Sequence, residues 1–522
     1  MTADPVRPGP GPDAAAAARA AQDGDLDAAL RGADAALQAD DPREQDAGAV
    51  VLAAVLPQRG LLARAAEVHR WLAGRRGRPA AGAAVALLGS GALAEGQQAA
   101  ACGGGLPGLR DTAETLTAQG LLASVEGSAG TALSLLVRAT TALASAVERS
   151  PMGDSPAALG ALLALHRGEP ELADPLLDLA VDTDLGGPGL RRRHLLLRGW
   201  VALLRDDEDA ARTALGAAAD LPGAPEPRDE LTGVALEVAL ARRAGDTRGL
   251  LDLWSRARQA LLRHPVDLYC LLPVGELAVA AARLGETRWV EPHLAEADVL
   301  LEALGRPASW STSWHWAGLH AAITAEDRAA AAAHAGALEA AVVLNDRAAA
   351  PARAARVWLA VLDGAVDAEE VAQAAAGLRA VGLGWDGTRL AGEAAIRTTD
   401  RAASTALLAC ARTLQAGRTP VAPVATAQAP AIPGPPDPTT EASARAAATV
   451  RARRAGAAAL TERERDIADL VLEGLTYREI AGRLYLSAKT VEHHVSRIRR
   501  RVGAESRAEL FQALGGLRPR EH

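Results

Sequence analysis

The 522-residue sequence predicts an all-α protein: a helical-repeat superhelix, then a proline-rich linker, then a four-helix domain of helix-turn-helix type. Three observations carry that expectation. Apolar residues recur at spacings of three and four from about Ala14 to Gln415, with no sustained strand alternation. A short turn returns every 38 to 41 residues through that stretch. A run of prolines then separates an acidic body from a basic tail.

Taken in order, residues 1–13 are rich in proline and glycine and are expected to be disordered; they lack the basic region and apolar core of a signal peptide. The helical-repeat domain is expected over residues 14–415. Its turns fall at Gly127-Ser128, Gly168-Glu169, Asp206-Asp207, Gly245-Asp246, Gly285-Glu286, Ala325-Glu326 and Gly364-Ala365. Each interval has room for two helices of about four turns, and glycine at the turn permits a left-handed cap. A lone helix pair cannot bury both faces, so successive pairs are expected to stack, each on its neighbours, around a continuous core with a concave surface. Gly24-Asp25 and Gly60 mark degenerate or capping units. The arrangement resembles the tetratricopeptide-like helical region of many bacterial regulators.

Residues 416–454 form the linker and lead-in, with seven prolines between Pro420 and Pro438 that neither helix nor central strand accommodates. The four-helix domain is expected over residues 455–519. Charge marks the same border: residues 451–522 carry 15 Lys and Arg against 10 Asp and Glu, whereas residues 1–450 carry 41 against 54.

Composition excludes several chemistries. The single lysine, Lys489, follows no glycine-rich loop, which removes P-loop nucleotide hydrolysis and leaves no Schiff-base candidate outside the tail. Cys102, Cys270 and Cys410 are too few and too scattered for a disulfide framework or a paired-cysteine zinc site, and they suit reduced thiols in a cytoplasmic protein. No apolar run is long enough to span a membrane.

Within the body, Asp154, Ser155 and His166 lack the nucleophile-elbow frame of a hydrolase. Gly89-Ser-Gly91 with Gly96 has no preceding strand and is no nucleotide loop. Trp310, Trp314 and Trp316 with His315 and His320 are read as bulky rings filling an alanine-rich core, with an effector pocket as the alternative; the histidine spacing suits no metal pair. No catalytic residue, metal or cofactor is expected.

The tail is more specific. Thr461 with Glu464, and Thr476 with Glu479, form capping boxes that open two helices, and Ser487 caps a third. On that third helix Val491, Val495, Ile498 and Val502 fall on one stripe. Lys489, His493, Ser496, Arg497 and Arg500 lie opposite, with Thr490 and Glu492 on the flanks. A helix buried along one line and polar along the other suits a major groove, where these side chains reach phosphates and base edges. His494 sits nearer the buried stripe, and a packed role and a phosphate contact both stay open.

Leu460-Thr-Glu-Arg-Glu, Gly474-Leu-Thr-Tyr-Arg-Glu-Ile-Ala, Leu486-Ser-Ala-Lys-Thr-Val and His494-Val-Ser-Arg-Ile resemble the C-terminal DNA-binding domain of LuxR-type transcriptional regulators. The resemblance implies that Lys489, Thr490, Glu492, His493, Ser496 and Arg497 lie at or beside DNA, with Thr476 and Tyr477 near phosphate. Many members carry a basic residue where Glu492 stands; an acid there either accepts from cytosine N4 or lowers affinity. The body lacks the strands of a receiver or autoinducer-binding domain and resembles the repeat half of larger members without their ATPase module. The expectation is a regulator, dimeric on double-stranded DNA, whose repeats receive a protein or small-molecule signal. The alternative is an adaptor whose tail has lost specific binding.

Overall fold

A computed structural model describes residues 12–102, 108–146, 151–416 and Val495. The chain divides into two units, Met1–Ala422 and Pro423–His522. Among the described residues of the first unit every regular element is a helix, so the all-α expectation holds. The helices come in pairs. These are α1 (Pro12–Gln22) with α2 (Leu26–Leu37), α3 (Pro42–Gln58) with α4 (Leu62–Arg76), α5 (Ala83–Gly89) with α6 (Leu93–Ala101), and α7 (Leu109–Val125) with α8 (Ala129–Ala144). Then follow α9 (Pro156–Arg167) with α10 (Pro170–Asp182), α11 (Pro188–Leu204) with α12 (Glu208–Ala219), and α13 (Pro227–Ala244) with α14 (Thr247–Arg263). The last are α15 (Leu271–Leu284) with α16 (Glu291–Ala303), α17 (Ala308–Thr324) with α18 (Arg328–Ala341), α19 (Ala349–Leu362) with α20 (Ala368–Ala380), and α21 (Gly384–Arg397) with α22 (Arg401–Ala416).

Local chemistry explains the pairing. All seven turns anticipated from the sequence hold a left-handed residue: Gly127, Gly168, Asp206, Gly245, Gly285, Glu326 and Gly364. Gly24, Gly60 and Gly91 do the same between the first three pairs of helices. The amide after the left-handed residue returns to a carbonyl five residues earlier, as in Glu169 to Ala164 at 2.8 Å and Asp246 to Ala241 at 2.9 Å. This is the bond that closes a helix whose last carbonyls would otherwise be orphaned. An aspartate in the next position then opens the following helix: Asp25, Asp207, Asp246 and Asp327 each accept from the amide three residues on. The recurring turn is therefore a stop signal joined to a start signal.

The two helices of a pair differ in burial. Helix α9 is buried on nearly all sides, from Pro156 to His166, and it packs on α10, α8 and α11. Helix α14 buries a single stripe, Leu250, Trp254, Ala257 and Leu261, and leaves the rest to solvent. Odd-numbered helices accordingly pack on one another as well as on their own partners, as α11 does on α13 and α13 on α15.

One expectation needs correction. Pairs do not contact their neighbours alone: α17 also packs on α9 and α7. The indole of Trp310 donates to Ser124 Oγ at 3.1 Å, and Tyr269 Oη donates to the Val85 carbonyl at 2.9 Å across 184 residues. Bulky rings on helices distant in sequence meet where small residues let them, such as Gly89 beneath the Tyr269 ring. A 40-residue period reports neighbours and cannot report these crossings.

Candidate functional site

Thr476, Tyr477, Ser487, Lys489, Thr490, Glu492, His493, His494, Ser496, Arg497 and Arg500 lie outside the described residues. Val495, placed on the core stripe by its spacing, is helical and 3% exposed.

The tryptophan-rich segment belongs to α17, which is buried along both faces. Trp310 and Trp314 join one apolar cluster, which extends back to Leu56, and Trp316 joins another, which extends forward to Leu414. The reading of bulky rings as core thus describes all three, each of them buried. Trp316 also borders a cavity. Its indole donates to Asp386 Oδ2 at 3.0 Å, and together with His166, Arg242, Arg243, His320 and Asp386 it lines a cavity of about 140 Å³. His320 and Asp386 were not paired by sequence reasoning, since 66 residues separate them.

The charges around this cavity are mostly matched. Arg242 forms a two-pronged pair with Glu276 at 2.5 and 2.9 Å, and Arg243 reaches Asp206 at 2.9 Å. Burial alone would raise the Asp386 carboxyl, but His320, the Trp316 N–H, Arg242 and Arg389 hold it below the usual carboxylate range. Burial pushes His320 down to about 4 and His166 to about 3, so both rings are neutral near pH 7. His166 Nδ1 bonds Ser313 Oγ, while its Nε2 is buried without a hydrogen-bond partner. A larger cavity of about 300 Å³ opens between α4, α7 and the loop before α11, lined by Leu72, Leu185, His69, Arg76, Arg110 and Glu114. Both cavities are mixed in character, with apolar walls and a few fixed polar groups, as small-molecule sites are.

No hydrolase site forms around Ser155. Its hydroxyl caps α9 by accepting from the Ala158 amide at 3.0 Å and lies 2.7 Å from His194 Nε2. Ser155 is fully buried, which keeps any substrate from it, and His166 is engaged elsewhere with Ser313. The Gly89-Ser-Gly91 segment ends one helix and precedes another, so it is a turn between α5 and α6.

Comparison with known proteins decides the family. The profile GerE, described as bacterial regulatory proteins of the luxR family, matches residues 458–514. The spore germination protein GerE of Bacillus subtilis is 38% identical over 55 residues, which cover 10% of this chain and 74% of that protein. The chain belongs to the luxR family of bacterial regulatory proteins. Another relative, the DNA-binding transcriptional activator DevR/DosR of Mycobacterium tuberculosis, is 42% identical over 72 residues, 12% of this chain and 33% of that one. The putative HTH-type transcriptional regulator Rv0890c of the same species is 42% identical over 55 residues, 10% of this chain and 6% of its own length. The chain thus spans a third or less of these two relatives, and the luxR likeness resides in its tail.

Proposed function

We propose that this chain is a sequence-specific, DNA-binding transcriptional regulator. The luxR-family match over residues 458–514 carries the reading, because it coincides with a stretch whose spacing sets a basic polar helix face opposite an apolar stripe. In this reading Lys489, Thr490, Glu492, His493, Ser496 and Arg497 face the major groove. Thr476, Tyr477, Ser487, His494 and Arg500 hold the backbone. Two copies bind a two-fold operator, since reading helices on dimers are spaced by one turn of duplex.

The helical unit receives the signal in this proposal. The cavities of about 140 and 300 Å³ support a small molecule as that signal, each joining apolar walls to a few arginines and histidines. The test is the affinity of the full chain for bound genomic fragments and for random duplex at several salt concentrations. Phosphate neutralisation makes the logarithm of affinity fall with that of salt by about 0.9 per contact. An affinity insensitive to salt, or equal for all sequences, would leave the adaptor reading in its place.

A further inference from the structure

Between α14 and α15 the chain reads His264-Pro-Val-Asp267-Leu-Tyr-Cys270, with a 3-10 turn over Leu268–Cys270. Three different metal-binding side chains therefore recur at i, i+3 and i+6, all buried. Their donor atoms lie within 4.8 Å of one another.

The protonation of His264 is fixed by its neighbour. Its Nδ1 lies 2.7 Å from the Pro265 carbonyl, which only accepts, so Nδ1 carries the proton and Nε2 is a bare lone pair. That lone pair is fully buried and has no hydrogen-bond partner. It faces Asp267 Oδ2 at 3.7 Å, too far for a hydrogen bond. Two acceptors face each other across a gap that suits a shared cation, because tetrahedral zinc with ligands at about 2.1 Å sets such atoms about 3.4 Å apart. The other carboxylate oxygen is held by the Tyr269 amide at 2.8 Å, so Asp267 is oriented before any ion arrives. A ring nitrogen donating to a backbone carbonyl is also the usual outer support of a metal-bound histidine.

Charge points the same way. The surrounding buried network holds three carboxylates, Asp154, Asp229 and Asp267, against two guanidiniums, Arg193 and Arg228. The arginines are engaged with Asp154 and Asp229, at 3.2 to 3.5 Å. Asp267 has no ion pair with either arginine. A divalent cation bound by His264 Nε2, Asp267 and Cys270 Sγ sends the thiol proton to solvent, replaces the hydrogen bond that the thiol donates to the Asp267 carbonyl at 3.2 Å, and makes the network formally neutral.

We propose that His264, Asp267 and Cys270 bind one zinc ion, with the fourth position taken by water. A set of one sulfur, one nitrogen and one oxygen suits zinc over magnesium or calcium, which take oxygen. The ion would fasten the connection between two helix pairs to the turn between α3 and α4, whose Gly60 packs directly under the His264 ring. Because the donors are buried, metal enters during folding and stabilises the folded chain.

The test uses the full chain without an affinity tag, stripped by chelation during refolding and titrated with cobalt(II), the optical stand-in for zinc. The expected result is saturation at one equivalent with a sulfur-to-cobalt charge-transfer band and visible bands of tetrahedral intensity. That band should vanish in Cys270→Ser and persist when Cys102 and Cys410 are both replaced by serine. Zinc should displace the cobalt and raise the thermal midpoint of the parent but not of Cys270→Ser. No band at one equivalent overturns the proposal, as does a band that survives Cys270→Ser. If Cys270→Ser does not fold, Asp267→Asn provides the comparison, since its amide oxygen still accepts from Tyr269; cobalt affinity unchanged within threefold would likewise overturn it.

Discussion

Gly168 stands against the backbone of Val381, so close that a Cβ on the glycine would collide with the Val381 carbonyl oxygen. The turn between α9 and α10 is thereby pinned to the turn between α20 and α21. Gly245 occupies the equivalent turn two pairs on, with the same left-handed backbone and open space around it. Gly245→Ala should cost about 1 kcal/mol, the left-handed penalty alone. Gly168→Ala should cost about 3 kcal/mol or more, since the neighbouring backbone must also shift. Urea denaturation of the two variants reads the difference, and equal losses would show that this contact contributes nothing.

Glu326 is a left-handed residue that is not glycine. Glu326→Gly should remove the left-handed strain of about 1–2 kcal/mol and lose about 0.5–1 kcal/mol to a more flexible unfolded chain, a net gain of roughly 0.5–1 kcal/mol. A lower urea midpoint would contradict this.

Acid should weaken the helical unit well before its carboxylates titrate. His166, His194 and His320 are pushed down to about 3, 4 and 4 by burial. The unfolded chain therefore takes up protons first as pH falls below about 6.5, and stability declines from there toward the folded values. Each histidine adds a slope of up to about 1.4 kcal/mol per pH unit between about pH 6 and 4. Unfolding free energies of the parent and His320→Gln, measured from pH 7.5 to 5, should differ in slope by about one proton.

Removing the block Gly245 to Leu284 tests how the pairs cooperate. From the period alone, excision of one repeat would leave a shorter folded unit. The structure places Tyr269, with its bond to Val85, inside that block, so the excised chain should aggregate or lose its cooperative melt. A soluble variant with a sharp thermal transition would restore the neighbour-only picture.

In the tail, His493→Ala should relax sequence preference at one base position by about 1–3 kcal/mol. Arg500→Ala should weaken all duplexes alike and lower the salt slope by about 1. Binding titrations on an operator and on random DNA separate the two roles.

Much of the fold was legible because a helix stop and a helix start are local events: glycine or an acid ends one helix, and the aspartate after it opens the next. The early units were less legible, since α5 spans only Ala83–Gly89 and α6 only Leu93–Ala101, too short for a clear period. Pairs such as Trp316 with Asp386, or Ser155 with His194, could not be read, because which distant helices meet depends on packing geometry. The His264, Asp267 and Cys270 spacing was visible in the sequence, but it followed no familiar zinc pattern of paired cysteines or histidines. The luxR-type segment was legible for a different reason: its caps, stripe and polar face all fall within 60 residues.

All nine indoles lie between Trp71 and Trp385, and none falls in the tail, whose rings are Tyr477, Tyr485 and Phe511. Intrinsic emission excited at the red edge of the absorption band is therefore a property of the helical unit alone. Trp200 and Trp316, the latter wired to Asp386, both line the cavity of about 140 Å³ and are fluorophores whose surroundings a molecule entering it would change. Duplex carries no such emitter, and the tail that binds it in the proposed function has no indole, so a spectral shift on its addition would be light from one unit reporting an event at the other.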